Sequence, residues 1–132
     1  MKKRVDVVGA VLVDGQTVLA ARRSEQMSLP GLWEFPGGKI EEGETPEEAL
    51  ARELDEELRC TAEIGEHVET TLYEYEKLFV SLATYYCTLR EGTPQLTEHA
   101  EIRWVPAAEL RELQWAPADI PAVEHVIADL RA

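Results

Sequence analysis

Apolar residues recur along the chain with two different spacings, and each spacing predicts a different kind of element. Alternating or continuous apolar runs rich in valine and tyrosine are typical of β-strands. They predict strands at residues 5–13, 17–21, 33–35, 62–75 (one strand or two), 78–89 and 102–105. Asp14-Gly15 is a favoured hairpin turn between the first two strands. Pro30-Gly31 interrupts a stretch without periodicity, so we expect residues 24–32 to form a loop.

A spacing of three and four residues predicts two helices. The first has one apolar stripe, formed by Leu50, Leu54 and Leu58. Thr45 is a favourable N-cap, Pro46 suits the first helical position, and Glu48 completes a capping box. Residues 106–113 are predicted as a helical turn or short helix, and residues 114–121 as a loop. The chain then closes with a helix whose apolar face is formed by Val123, Val126, Ile127 and Leu130.

These elements predict an α+β fold with a mixed sheet between helices, because strands surround one central helix and a second helix ends the chain. A length of 132 residues is sufficient for one domain with a hydrophobic core and too short for two. We therefore expect residues 1–132 to form a single domain.

The amino-acid composition limits the kinds of molecule that the protein is expected to bind. The formal net charge of -13 argues against a nucleic-acid polymer or an anionic membrane, because both favour basic surfaces. The apolar run 7–13 is too short to span a membrane, and Cys60 and Cys87 do not indicate a disulfide framework. We expect a cytoplasmic protein, a monomer or a dimer, that acts on a small molecule.

The first helix has a second face that is made of carboxylates. Glu53 and Glu57 are four residues apart and Glu56 lies beside them, so the three side chains converge. Like charges on one face cost stability unless a cation neutralises them, and three hard oxygen ligands at this spacing suit a magnesium-type cation. The plainer interpretation is a solvated acidic helix.

Residues 38–60 resemble the Nudix box, G-x5-E-x7-R-E-U-x-E-E-x-G-U, where U is a bulky apolar residue. The matching residues are Gly38, Glu44, Arg52, Glu53, Leu54, Glu56 and Glu57. Arg59 replaces the last glycine and Cys60 the last apolar residue, and both departures lie at the helix exit. The resemblance to the Nudix family implies an α/β/α sandwich in which residues 38–60 form a central loop–helix–loop.

The same resemblance implies a metal centre. Four groups would bind Mg²⁺, with Mn²⁺ as the alternative: Glu53, Glu56, Glu57 and the carbonyl of Gly37. Arg52 and Glu44 would orient the glutamates, and such supporting residues often matter almost as much as the ligands. A base from this cluster or from a later loop would activate water. In that loop Glu98 is the candidate for a further catalytic and metal-linked carboxylate, and Glu101 is its competitor.

A phosphate-rich substrate needs hydrogen-bond donors and room for close approach. Gly37-Gly38 permits close backbone approach, and Lys39 can contact a phosphate as a point charge. A tight turn and a solvated lysine are the plainer interpretations. Resemblance to the MutT branch of the family implies a phosphate contact for Arg23. Residues 31–39 look like those of the CTP pyrophosphohydrolase type within that branch, which adds three substrate-contacting residues: Glu34, Phe35 and Pro36.

By its resemblance to the MutT branch, the chain has Asp119 at a position that is expected to contact the base of the nucleotide. An ionised aspartate only accepts hydrogen bonds, so it would favour the donating edges of cytosine or guanine and offer nothing to the carbonyls of uracil. A protonated aspartate would behave differently. Alternatively, Asp119 caps the last helix, with Pro121 at the first helical position.

The resemblance therefore implies an enzyme that hydrolyses (deoxy)nucleoside triphosphates to the monophosphate and pyrophosphate, and so removes damaged or unusual nucleotides of the cytosine or oxidised guanine type. Two alternatives stay open. One is another Nudix substrate, such as ADP-ribose or a dinucleoside polyphosphate. The other is a non-catalytic domain that senses nucleotides, which the intact glutamates of the box disfavour.

Overall fold

The computed structural model describes residues 2–131. Within this part of the chain there are seven strands: β1 (Lys3–Asp14), β2 (Thr17–Arg22), β3 (Trp33–Glu34), β4 (Gly37–Lys39), β5 (Thr61–Glu74), β6 (Leu78–Glu91) and β7 (Glu101–Pro106). There are two α-helices, α1 (Pro46–Leu58) and α2 (Ile120–Arg131). Two 3-10 helices precede α2, at Ala107–Glu112 and Pro117–Asp119.

The strands form one mixed sheet with β1 at its centre. The sheet runs in the order β3-β2-β1-β6-β5, while β4 pairs with β1 and β7 with β2. β1 is parallel to β6 and antiparallel to β2 and β4. The predicted α+β fold with a mixed sheet is therefore confirmed.

The two faces of the sheet are covered by different helices because side chains alternate along β1. Val8, Ala10 and Leu12 pack with the leucine stripe of α1. Val11 points to the other face and packs in the cluster that contains the apolar residues of α2. This alternation produces the helix–sheet–helix layers that the resemblance implied.

The predicted capping of α1 is confirmed. The Thr45 side chain accepts a hydrogen bond from the Glu48 amide, and the Glu48 side chain accepts one from the Thr45 amide. At the other end, Arg59 adopts the left-handed conformation with φ 55, and its N–H donates to the Asp55 carbonyl at 3.1 Å. The helix thus ends with the geometry that a glycine provides more easily, at a cost of about 1 kcal/mol.

The strand β4 was not predicted, because its glycines indicated a turn. Gly37–Lys39 instead pairs antiparallel with residues 7–9 of β1, and the predicted strand at 33–35 ends at Glu34. A Cβ at Gly37 would lie 1.9 Å from the Val8 carbonyl oxygen. The glycine therefore permits the close strand pairing that brings this segment to the site.

Near the end of the chain, the predicted loop at 114–121 contains the second 3-10 helix, and α2 begins at Ile120, one residue before Pro121. Cys60 and Cys87 are buried free thiols. None of the helices in residues 2–131 is both long enough and apolar enough to cross a membrane.

Candidate active site

Arg52, in the middle of α1, is the centre of an ion-pair network. Its guanidinium pairs with both carboxylate oxygens of Glu44, at 2.7 and 3.0 Å, and donates to the Lys39 carbonyl at 3.0 Å. The same group reaches Glu53 at 3.2 Å and Glu56 at 3.1 Å. The hydrogen bond from Arg52 lowers the pKa of Glu44. Arg52 thus ties the loop before α1 to the carboxylate face of the helix.

Glu57 lies in an environment that disfavours a negative charge. Burial is the largest of the causes that raise its pKa to about 8, and three neighbouring carboxylates add to it: Glu53, Glu34 and Glu98. Burial also raises the pKa of Glu53, against the lowering effect of Arg52. Among the side chains of residues 2–131, one buried polar atom lacks a hydrogen-bond partner, and it is Glu57 Oε1.

These groups suit a hard divalent cation, although they do not yet surround one. As the side chains stand, no three acidic, His or Cys residues of the described chain are arranged to hold an ion. Arg52 forms ion pairs with Glu53 and Glu56, and these pairs explain why the three carboxylates do not converge as the sequence predicted. The orphaned oxygen of Glu57 and the repulsion among the carboxylates are what a cation would relieve. A Cβ at Gly38 would lie 2.3 Å from Glu53 Oε2, so the glycine leaves the space that this carboxylate occupies.

Glu98 and Glu101 have different surroundings. Glu98 is exposed in an irregular segment before β7, makes no ion pair within residues 2–131, and is close enough to Glu53 and Glu57 to raise the pKa of both. Glu101 lies on β7 and pairs with Arg22 at 3.3 Å and Arg103 at 2.9 Å, which lowers its pKa. The geometry favours Glu98 over Glu101 as the additional carboxylate.

A cavity of about 940 Å³ opens beside the acidic cluster. Its apolar floor comes from alternate positions of two parallel strands, where Val5 pairs with Val80 and Val7 with Leu82. Two lining residues mark its ends along β1. Lys39 lies opposite Val7, and Leu78 lies opposite Lys3, which is four residues before Val7. At about 3.3 Å per residue the cavity therefore extends roughly 13 Å along the sheet. That length suits a nucleotide.

Most of the predicted substrate residues line this cavity: Arg23, Glu34, Phe35, Gly37, Gly38, Lys39 and Asp119. Pro36 is not among the lining residues, and its carbonyl accepts a hydrogen bond from the Ala10 amide at 2.7 Å. Of the acidic cluster, Glu57 reaches the cavity wall. The sequence interpretation missed Tyr75 and Lys77, which line the cavity from the turn between β5 and β6. The alternate apolar positions of β1 (Val5, Val7) and β6 (Leu78, Val80, Leu82) were the available signal for the floor.

Arg23 is held by groups that line the same cavity. Its guanidinium pairs with Glu34 Oε1 at 2.6 Å and donates to the Ser28 carbonyl at 2.5 Å. The other oxygen of Glu34 contacts His99 Nε2 at 2.8 Å. The sequence interpretation also missed His99, because a single histidine in a polar segment carries no pattern.

Asp119 is buried and packs against the chain that leads into β4. Its Oδ2 accepts a hydrogen bond from the Phe35 amide at 3.0 Å. This side-chain hydrogen bond joins Asp119 to a distant segment of the chain, which differs from the capping role at the start of α2. Burial, and then the Glu34 carboxylate, raise the pKa of Asp119 well above its ordinary value, although the Phe35 amide opposes this. Burial therefore shifts Asp119 toward the protonated form that the sequence left open.

A mixed sheet between two helices, with clustered glutamates beside a cavity of nucleotide length, is typical of domains that bind phosphorylated ligands through a divalent cation. The chain matches the NUDIX domain family over residues 3–126 and belongs to that family. Nudix hydrolases in general need divalent metal ions.

Similar proteins cover almost the whole chain. The CTP pyrophosphohydrolase of Escherichia coli K12 is 38% identical over 130 residues, which are 98% of this chain and 96% of that protein. The 8-oxo-dGTP diphosphatase of the same organism is 32% identical over 123 residues, covering 93% of this chain and 95% of that protein. The solution structure of MutT, a Nudix hydrolase from methicillin-resistant Staphylococcus aureus 252, has a TM-score of 0.81 and 50% identity, covering 98% of this chain and 99% of that one.

Proposed function

We propose that this protein hydrolyses nucleoside triphosphates, with Mg²⁺ or Mn²⁺, to the nucleoside monophosphate and pyrophosphate. The observation that carries the proposal is the partly buried Glu57, which lines a cavity of nucleotide length and has an oxygen without a hydrogen-bond partner. The intact carboxylate face of α1 and the names of the relatives support the same reaction. The chain would act as one domain, a monomer or a dimer, on a small nucleotide and not on a nucleic-acid polymer.

The proposed ligands are Glu53, Glu56, Glu57, Glu98 and the Gly37 carbonyl. When bound there, a divalent cation neutralises phosphate charge and polarises the attacking water. Lys39 lines the cavity and makes no ion pair within the described residues, so its ammonium is available to phosphate oxygens. Arg52 restrains Glu53 and Glu56 through its hydrogen bonds. Glu98, which is exposed and unpaired in residues 2–131, is our assignment for the base that accepts the proton of the attacking water.

Asp119 and Phe35 are the proposed base contacts. A protonated Asp119 presents one donor and one acceptor, which matches the paired donor and acceptor on cytosine or on guanine. It also matches the N3–H and O4 pair of uracil, whereas an ionised Asp119 would accept from N3–H but donate nothing to O4. The base specificity therefore reports the protonation state of this buried carboxyl. We propose cytosine or oxidised guanine nucleotides as substrates, in line with the named substrates of the two Escherichia coli relatives.

The experiment is a magnesium-dependent hydrolysis panel with separated products. It contains CTP, dCTP, 5-methyl-dCTP, dGTP, 8-oxo-dGTP, ATP, UTP and ADP-ribose, and compares kcat/KM for each compound. We expect the highest values for a cytosine or oxidised guanine triphosphate, with release of pyrophosphate. A Glu57→Gln variant should remove that activity and serves as the control for contaminating phosphatases.

The other outcomes are equally informative. Hydrolysis of ADP-ribose alone would contradict the proposed substrate while leaving the metal assignment in place. Inactivity on every compound would instead favour a domain that senses nucleotides. Among active outcomes, UTP turnover comparable to CTP would indicate a protonated Asp119, and rejection of UTP an ionised one.

A further inference from the structure

His99 is a buried histidine in an otherwise exposed segment. Its side chain is 1% exposed, whereas residues 95–98 and Ala100 are exposed. Its Nε2 lies 2.8 Å from Glu34 Oε2, and because a carboxylate only accepts hydrogen bonds, Nε2 is the donor. An interior position in a surface segment suggests that this side chain fastens the segment to the rest of the molecule.

The segment around Glu98 is fastened on both sides. Before Glu98, the Gln95 amide donates to the Leu58 carbonyl at 2.8 Å, and the Thr97 hydroxyl donates to the Glu57 carbonyl. These two contacts join the segment to the end of α1. After Glu98, the Ala100 amide donates to the Arg22 carbonyl at 2.8 Å. Glu98 makes no side-chain hydrogen bond within residues 2–131, so its position depends on these neighbours.

His99 is also linked to the nucleotide cavity through Glu34. One oxygen of Glu34 accepts from His99 and the other pairs with Arg23 at 2.6 Å. The side chain of Glu34 is 17% exposed and that of Arg23 is 21% exposed, so both ion-pair partners are largely shielded from solvent. Loss of the His99 hydrogen bond would leave one oxygen of a largely buried carboxylate unpaired, which favours rearrangement of Glu34 and of Arg23 with it.

We propose that His99 is a positioning residue that fixes the positions of two groups of the site. It acts on the neighbouring Glu98 through the backbone, and on Arg23 through the side chain of Glu34. The inference rests on the proposed function for the roles of Glu98 and Arg23. A histidine that only fills the core would affect stability. A histidine that positions both groups must also affect metal affinity and nucleotide affinity.

The test compares three variants with the wild-type protein. His99→Leu removes the donor at similar volume, and His99→Gln restores a donor near the position of Nε2. His125→Leu is the control for the same substitution at a more exposed His–Glu pair, because His125 Nδ1 lies 2.9 Å from Glu69, in a pair between α2 and β5 that does not line the cavity. The readouts are KM, kcat, the Mg²⁺ concentration for half-maximal rate, Mn²⁺ binding without nucleotide, and hydrogen exchange of the Ala100 amide.

We expect His99→Leu to raise the nucleotide KM and the half-maximal Mg²⁺ concentration at least tenfold, to weaken Mn²⁺ binding, and to accelerate exchange at Ala100. His99→Gln should recover most of each effect, and His125→Leu should behave as wild type. If His99→Leu does not fold, His99→Asn replaces it, because its amide reaches less far toward Glu34.

A lowered melting temperature with unchanged KM, metal dependence and Mn²⁺ affinity would overturn the inference. So would equal losses in His99→Leu and His125→Leu. If the wild-type protein hydrolyses nothing, the proposed function fails, and the Mn²⁺ affinity and the exchange rate at Ala100 still decide the role of His99.

Discussion

Replacement of Glu57 with glutamine should stabilise the metal-free protein while it removes the activity. Burial and neighbouring carboxylates raise the pKa of Glu57 from 4.5 to about 8. The unfolded chain loses this proton above about pH 4.5, whereas the folded chain keeps it until about pH 8. Because the unfolded state binds fewer protons in that interval, the free energy of unfolding falls as the pH rises through it.

The magnitude follows from the same two values. At 1.36 kcal/mol per pKa unit, the difference between 4.5 and about 8 corresponds to about 5 kcal/mol. Solvent screening at a partly exposed carboxyl lowers this to about 2–4 kcal/mol. Glutamine has nearly the same shape and no charge to bury. Glu57→Gln should therefore be more stable than wild type by about 2–4 kcal/mol above pH 8 and by less than about 1 kcal/mol at pH 5.

The assay is urea unfolding in EDTA, followed by tryptophan fluorescence, at several values between pH 5 and pH 9. Glu47→Gln is the control, because Glu47 is an exposed glutamate on the same helix, and its change should stay within about 0.5 kcal/mol at every pH. Added Mg²⁺ should stabilise the wild-type protein and have little effect on Glu57→Gln, whose turnover should be lower by orders of magnitude. Equal stability of wild type and Glu57→Gln at pH 8 to 9, or a difference that does not vary with pH, would refute the reasoning.

Four further predictions concern other positions of the chain. Asp119→Ala should relax the discrimination among bases, measured as ratios of kcat/KM, more than it lowers kcat for the best substrate. Arg59→Gly should raise the free energy of urea unfolding by about 0.5–1 kcal/mol, because it removes the left-handed strain at φ 55. Gly38→Ala should lower turnover with little change in melting temperature, because its Cβ would meet the flexible Glu53 carboxylate at 2.3 Å. Gly37→Ala should lower the melting temperature strongly, because its Cβ would meet a β1 carbonyl oxygen at 1.9 Å.

Each of these predictions has an outcome that would contradict it. Unchanged base ratios in the Asp119 variant would remove Asp119 from the base contacts. A destabilised Arg59→Gly would show that the arginine side chain contributes more than the strain costs. Full activity in Gly38→Ala, or equal melting temperatures for the two glycine variants, would contradict the assigned close contacts.

The sequence by itself determined the features that depend on neighbours along the chain. The leucine stripe and the capping box fix α1, because helical contacts join residues three and four apart. The apolar run of residues 5–13 predicted a strand, and in the structure β1 is covered on both faces, by α1 and by α2. The spacing of glutamates in residues 38–60 carried the resemblance to the family to which the chain belongs.

The tertiary structure alone decided the features that join distant parts of the chain. Asp119 meets the Phe35 amide across 84 positions, and His99 meets Glu34 across 65, so no local pattern could have paired them. Residues 37–39 became a strand because β1 lies alongside them, which overrode the turn that two glycines indicated. The raised pKa values of Glu57 and Asp119 likewise depend on burial, and burial exists only after distant elements have packed around each carboxyl.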